Sequence, residues 1–173
     1  MRWKSRTPLL SILCGFLFLF AIAPKAWAGP CFRCKIVPVN MPVSLVVGSV
    51  QTPEFLVKYT DYKIMLEVKR RISLGKLQCM LGIRIPWERD PCAMLHLDTA
   101  IEAEWRVLDG DHIVAQGVVH GRDEKSAVSS HTLDRYLGTF VGETGKKFVL
   151  EVKFTKDGSV LNEFEPHLIV QMY

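Results

Sequence analysis

Three runs in which apolar and polar residues alternate constrain this fold more than any other feature of the chain. They cover residues 62–69, 101–107 and 148–154, and hydrophobic side chains occupy every second position in each of them. Such alternation is typical of a β-strand that has one face buried and the other face in solvent. The runs therefore predict antiparallel sheets, each covered on one face, rather than a parallel sheet covered by helices on both faces.

Less regular strand patterns and turn signals complete this prediction. The additional strand candidates are residues 43–48, 55–59, 113–119, 136–141 and 168–172. Asp109-Gly110 lies between two strand candidates, and Asp-Gly is a strong hairpin signal. The predicted fold class is all-β: a two-sheet antiparallel sandwich of immunoglobulin-like or jelly-roll type, with one short helix.

The predicted helix lies between Ser73 and Gly82. Its apolar residues recur at helical spacing, Ser73 is suited to cap its start, and Gly82 is suited to end it. We expect this helix to cross from one sheet to the other. Two longer loops are predicted at residues 83–92 and 121–134.

The N-terminus predicts export. Arg2, Lys4 and Arg6 precede an apolar run at residues 9–22, and a small-x-small triplet ends at Ala28. This is the pattern of a cleaved signal peptide, whose apolar core is too short to span a bilayer comfortably. We therefore predict a leader at residues 1–28, a single β-sandwich domain at 29–173, and a periplasmic or secreted location in a Gram-negative bacterium, with no stable membrane span after cleavage.

Cleavage changes the charge balance of the chain. The leader contains four of the 22 basic residues and none of the 18 acidic residues, so the mature chain has 18 of each and a formal net charge of zero. An overall positive field that would attract nucleic acid is therefore not expected.

Four cysteines remain after cleavage, namely Cys31, Cys34, Cys79 and Cys92. An even number in an exported protein predicts two disulfides, and four cysteines allow three connectivities. We favour pairing Cys31 with Cys34 and Cys79 with Cys92, because the latter two bracket a single loop. The two crossed pairings stay open as alternatives.

The Cys31/Cys34 pair also raises an alternative function, that of a thiol redox protein. In thioredoxins such a pair opens a helix just after a strand, and the helix N-terminus lowers the pKa of the first thiol. Here no strand precedes the pair, and Pro38 and Pro42 argue against a helix. We therefore prefer structural disulfides.

Trp87, Glu88 and Arg89 are the candidate binding residues. They lie in the loop closed by Cys92, where an aromatic ring beside charged groups suits recognition of a protein or a glycan. The alternative is that Trp87 folds back over a sheet edge. Trp105 lies in an alternating strand and is predicted to be in the core.

The residues give no indication of catalysis. The five histidines lack metal-ligand spacing, and no G-x-S-x-G nucleophile motif is present. The sequence therefore predicts a protein that has no catalytic residues, cofactor or metal.

Segments spread over most of the predicted mature chain resemble a known group of proteins. LGTF at residues 137–140, GKKF at 145–148, the alternating segment 61–69 and the helix end at 77–82 together resemble an uncharacterised family of exported Gram-negative β-sandwich proteins (DUF5625-like). The resemblance implies a fold and a compartment, and no chemistry. The predicted function is thus an exported, non-catalytic binding or structural module of the periplasm or cell envelope, with an unknown protein or glycan as its partner.

Overall fold

A computed structural model describes residues 37–84, 91–122 and 126–172 of the chain. These residues form ten strands, two α-helices and one 3₁₀ helix. The strands are β1 (Val39–Pro42), β2 (Gly48–Gln51), β3 (Phe55–Leu56), β4 (Asp61–Lys69), β5 (Ala103–Asp109), β6 (His112–Val119), β7 (Ser126–Val128), β8 (Thr132–Val141), β9 (Lys147–Phe154) and β10 (His167–Met172). The helices are α1 (Leu74–Leu81), α2 (Pro91–Met94) and the 3₁₀ helix Ser159–Phe164.

The strands form two antiparallel sheets, as predicted. Sheet I has the strand order β1-β10-β4-β8-β7, and sheet II has the order β2-β9-β5-β6, with β3 also paired to β9. Every pairing between described strands is antiparallel. The three alternating runs of the sequence correspond to β4, β5 and β9, which are interior strands of their sheets because each has a partner on both sides. The prediction of an antiparallel sandwich is confirmed.

The predicted helix is also confirmed. Gly82 ends α1 in the left-handed conformation, with φ of 71°, and its N–H donates to the carbonyl of Cys79. Ser73 occupies the N-cap position, but its side chain makes no capping hydrogen bond. As expected, α1 lies on the connection from β4 in sheet I to β5 in sheet II.

The predicted strand at residues 43–48 is wrong. This segment connects β1 to β2, and its apolar side chain Leu45 is buried by loop packing instead of strand pairing. The Leu45 N–H donates to Asn162 Oδ1 at 2.9 Å, and its carbonyl accepts from the N–H of Gly158 at 2.8 Å. Hydrophobicity correctly indicated burial at Leu45, which packs at the 3₁₀ helix, but not at Val46 and Val47, which are exposed.

The predicted loop at residues 121–134 is wrong in part, because it contains β7 and the start of β8. Polar side chains build a tight hairpin between these two strands. Ser129 Oγ lies 2.8 Å from Thr132 Oγ1 and accepts the backbone N–H groups of His131 and Thr132. The polar composition that predicted a loop is thus used in a turn and on an edge strand.

The core lies between the sheets and is rich in aromatic side chains. Tyr62 stacks on Phe140 with ring centroids 5.2 Å apart, and Phe55 and Phe148 pack against Phe140 at 6.4 and 6.3 Å. The hydroxyl of Tyr62 accepts the N–H of Lys58 at 2.9 Å. The polar end of this buried ring is therefore satisfied within the fold.

Trp105 is in the core, as predicted, where it joins the two sheets. Its indole Nε1 donates to the carbonyl of Leu137 at 2.8 Å. Leu137 is the extra residue of a β-bulge, because Ile64 pairs with Gly138 whereas Met65 pairs with Tyr136. A bulged residue is left out of the ladder. The tryptophan therefore satisfies a carbonyl at the position where strand pairing is interrupted.

We expect Gly138→Ala to lower the free energy of unfolding by about 1–3 kcal/mol, the usual cost of overpacking a core. A Cβ at Gly138 would lie 2.5 Å from Cε2 of Trp105, so the indole would have to shift and its hydrogen bond to Leu137 would lengthen. Urea denaturation followed by circular dichroism measures the change.

Gly75→Ala is the matched control for this variant. Gly75 lies in α1 with open space where a Cβ would be placed, so we expect this change to stabilise by about 0.5–1 kcal/mol through helix propensity. Equal effects of the two substitutions would contradict the packing argument.

Candidate functional site

The topology brings the connections that carry the predicted binding loop to one end of the sandwich. The end of β4 and the start of β8 are paired there, through Lys69 and Thr132. The start of β5 and the end of β6 are likewise paired, through Ala103 and Val119. We call this region the loop end and define it by α1, α2 and the segments 95–102 and 120–122.

Arg135 of β8 holds the loop end together, and sequence reasoning missed it. Its side chain is 0% exposed. Nη1 donates to the carbonyl of Leu81 at the end of α1, to Thr99 Oγ1 at 3.1 Å and to the carbonyl of Ile101 at 3.2 Å. Nη2 donates to the carbonyl of Gly121 at 2.8 Å. One guanidinium thus joins three segments that are far apart in sequence, using the fixed fork of donors that arginine provides.

Gly82 allows this close approach. A Cβ at this position would lie 2.5 Å from Nη1 of Arg135 and 2.7 Å from the carbonyl oxygen of Gly121. The positive φ and the lack of space both require glycine at this position. The sequence identified Gly82 as a helix end but gave no indication of the arginine beside it.

A disulfide between Cys79 and Cys92 closes the loop at residues 83–92. The Cα atoms are 5.2 Å apart, and both residues are buried. The pairing predicted for these two cysteines is therefore confirmed, and it joins α1 to α2. Nearby, Arg122 Nη2 donates to the carbonyl of Leu97 at 3.2 Å, which connects the segment after β6 to the segment after α2.

Trp87, Glu88 and Arg89 lie outside the described residues, as do Cys31, Cys34 and the leader at 1–28. The structure describes the chain on both sides of the predicted binding residues, up to residue 84 and again from residue 91. Their role as a binding site stays a prediction, and so do the pairing and any redox activity of Cys31 and Cys34.

Lys69, Arg70 and Arg71 form a basic cluster at the end of β4, and each of them binds another part of the protein. Glu165 pairs with both Lys69 and Arg71, and Arg71 Nη1 also donates to the carbonyl of Glu163 at 2.8 Å. The Lys69 hydrogen bond is the largest cause of a pKa of Glu165 below its usual value. Arg70 Nη1 donates to the carbonyl of Ser129 at 2.7 Å. These cations therefore bind neighbouring segments of the chain.

Within residues 37–84, 91–122 and 126–172, no three histidine, cysteine or acidic side chains lie close enough together to hold a metal ion. The same part of the chain contains no helix whose length and hydropathy would let it cross a bilayer.

Comparisons with known proteins show the fold and no function. No protein-family model and no curated protein matches the chain. A crystal structure of a protein from Sulfurospirillum deleyianum matches with a TM-score of 0.54 and 10% sequence identity, covering 82% of this chain and 98% of that one. At this identity the similarity concerns the fold alone, and this chain is therefore a two-sheet antiparallel β-sandwich of the kind found in that bacterial structure.

Proposed function

We propose that this protein is an exported, non-catalytic binding module of the periplasm or cell envelope, and that it recognises a protein or glycan partner through the loop end. The observation that carries the proposal is the set of four hydrogen bonds donated by the Arg135 guanidinium, which fixes the flanks of both predicted loops to strand β8. A loop whose flanks are fixed before binding loses less conformational entropy when it binds, which favours affinity.

The Cys79–Cys92 disulfide supports the same interpretation. It closes the loop that contains Trp87, Glu88 and Arg89, and it links α2, which follows that loop, to α1. Disulfides of this kind persist mainly in oxidising compartments, so the pair also supports export.

The leader is tested by the N-terminus of the protein as the cell produces it. We expect periplasmic fractions to contain a chain that begins at Gly29, immediately after the small-x-small triplet. Recovery of an intact chain from Met1 in the cytoplasmic fraction would contradict export.

The binding surface is tested on a glycan array and on envelope proteins with the Trp87→Ala variant. Loss of a central aromatic anchor commonly costs at least about 2 kcal/mol, so we expect binding to weaken by about 30-fold. Tyr59→Ala is the matched control, because Tyr59 is an exposed aromatic beside the 142–146 turn, at the opposite end of the sandwich. If Tyr59→Ala abolished binding while Trp87→Ala retained it, the recognition surface would lie at the end of the sandwich opposite the loop end, and the proposal would be wrong.

A further inference from the structure

The chain contains two Asp-Gly dipeptides, Asp109-Gly110 and Asp157-Gly158, which carry the same chemistry in different surroundings. In such a dipeptide the backbone nitrogen of the glycine can attack the side-chain carboxyl carbon of the aspartate, because glycine has no Cβ to shield that nitrogen. The fold gives the two dipeptides unequal access to this reaction.

Gly110 lies in the two-residue turn between Asp109 and His112, and its nitrogen is accessible. The residue is exposed, and the space where a Cβ would be placed is open. None of the backbone hydrogen bonds that the described residues form in turns and loops uses the N–H of Gly110. Solvent can therefore take up the proton that this nitrogen loses when it reacts.

Asp109 lies at the end of a short stretch of strand pairing, so its main chain can rearrange. A bulge interrupts the β5–β6 ladder between Val107 and Leu108, and in the described part of the chain only the pairs Leu108–Ile113 and Asp109–His112 lie beyond it. On its other side β5 pairs with β9 as far as Leu108, one residue before Asp109. Terminal pairs of this kind open locally, without unfolding of the whole domain.

The Asp109 carboxylate is held by an exposed ion pair. Its Oδ2 accepts from Nζ of Lys146 at 3.1 Å, and both side chains are exposed to solvent. Lys146 also pairs with Glu143. Exposed ion pairs contribute little to stability and are screened by salt, so this contact is a small obstacle to the reaction.

The same dipeptide at Asp157-Gly158 is held at both reacting groups. Gly158 is buried, and its N–H donates to the carbonyl of Leu45 at 2.8 Å. Asp157 Oδ1 accepts the N–H of Ser159 at 2.9 Å, and this hydrogen bond holds the pKa of the Asp157 carboxyl below its usual value. An ionised carboxylate reacts poorly, because its oxygen leaves as water only after it has taken up a proton.

We propose that Asp109 is a site of spontaneous covalent modification, at which the aspartate rearranges to isoaspartate while the fold protects Asp157. The nitrogen of Gly110 forms a bond to Cγ of Asp109, and its proton leaves with the carboxyl hydroxyl as water, which gives a cyclic imide. Water then adds at the main-chain carbonyl of the imide and cleaves its bond to the nitrogen, so the chain continues through Cγ and the former main-chain carbonyl becomes a free carboxylate. Cleavage at the other carbonyl returns aspartate. Water is lost and then regained, so the mass and the oxidation state are unchanged.

The product has an additional methylene group in the main chain at the tip of the β5–β6 hairpin. Strand β5 starts at the loop end and finishes at Asp109, so the modification acts at the opposite end of the sandwich. Its occurrence is therefore independent of the proposed binding function.

The test is peptide mapping of the full chain as the cell produces it, after prolonged incubation of the folded protein in warm, mildly acidic buffer. Chromatography separates the isoaspartyl peptides, and labelling by an isoaspartyl methyltransferase identifies them. We expect isoaspartate to form at Asp109 at least about tenfold faster than at Asp157, because two hydrogen bonds must break before Asp157-Gly158 reacts and each slows the reaction several-fold. In urea, where both dipeptides are released from the fold, the two rates should converge.

Two matched variants assign the signal. Asp109→Glu keeps the negative charge opposite Lys146 but has a longer side chain that disfavours the cyclic imide, so isoaspartate should disappear from this peptide. Asp157→Glu is the control, and we expect it to leave the rate at Asp109 unchanged.

Several outcomes would overturn the proposal. Equal rates at the two dipeptides of the folded protein, or a faster rate at Asp157, would mean that the fold does not select Asp109. Isoaspartate that forms at Asp109 in urea but not in the folded protein would mean that the hairpin protects this residue. A difference in rate that persists in urea would come from the flanking residues and not from the structure.

Discussion

Arg135→Met is expected to lower the free energy of unfolding by about 3–5 kcal/mol. Removal of the guanidinium takes this donor from four oxygen acceptors, three of which belong to buried residues, while the fourth belongs to the exposed Gly121. The Thr99 hydroxyl and the Ile101 main chain keep their hydrogen bonds to each other, whereas a buried acceptor left unsatisfied costs about 1–3 kcal/mol. Rearrangement and entering water recover part of this sum, which gives the lower total.

Replacing a buried charge with a hydrophobic residue stabilises some proteins, but that case does not apply here. Stabilisation occurs when all members of a buried polar group are replaced together by well-packed apolar side chains. Three of the acceptors of Arg135 are backbone carbonyls, those of Leu81, Ile101 and Gly121, which no substitution can remove. The carbonyls of Leu81 and Ile101 stay buried in the variant, so the change destabilises the protein.

Urea denaturation followed by circular dichroism measures this effect against two further variants. Thr99→Val removes the single acceptor that is a side chain, and we expect it to cost about 1–2 kcal/mol. Arg106→Met removes an exposed arginine from β5 and should change stability by no more than about 0.5 kcal/mol. If Arg135→Met were as mild as Arg106→Met, the guanidinium would not be holding the loop end.

Much of the fold could be predicted from the sequence because three of its interior strands alternate between apolar and polar residues. Strands β4, β5 and β9 each have a partner on both sides and bury one face, and this environment requires alternation. The edge strands β1, β2 and β7 were missed because they have three or four residues each, too few to establish a period. Their positions depend on the neighbouring strand.

The candidate site was harder to predict, because its central residue contradicts the usual expectation for a buried position. Leu133, Arg135 and Leu137 alternate on the inner face of β8, so the pattern places an arginine among buried leucines. That irregularity was the available signal. It could not identify the acceptors, which are mainly backbone carbonyls from loops that the sequence does not place in space. The pairing of Cys79 with Cys92 was predictable because both cysteines bracket one loop.

Removal of the Cys79–Cys92 disulfide, by changing both residues to alanine, is the second large effect that we expect. A cross-link that closes a loop of this length, with the cysteines 13 positions apart, restricts the unfolded chain and stabilises by about 3 kcal/mol. Both cysteines are buried, at 0% and 2% exposure, so the alanines also leave a small void in the packing between α1 and α2. Urea denaturation of the double variant under non-reducing conditions should show a loss of about 2–4 kcal/mol. An unchanged midpoint would mean that packing alone holds α2 against α1.

The disulfide and Arg135 hold the same part of the protein, so their effects should not add. Cys79 and Leu81 lie two residues apart in the last turn of α1, and one is bonded to Cys92 while the carbonyl of the other accepts from Arg135. Once either the disulfide or the hydrogen bond from Arg135 is lost, the end of α1 is freer to move, and the remaining connection restrains less structure. We therefore expect the variant that combines both changes to lose less stability than the sum of the separate losses, by about 0.5–3 kcal/mol.

Gly138→Ala provides the comparison, because it acts on Trp105 in the core between the sheets. When it is combined with the cysteine variant, the two losses of stability should add to within about 0.5 kcal/mol, as those of distant sites do. Additivity in both combinations would mean that the disulfide and Arg135 stabilise the loop end independently.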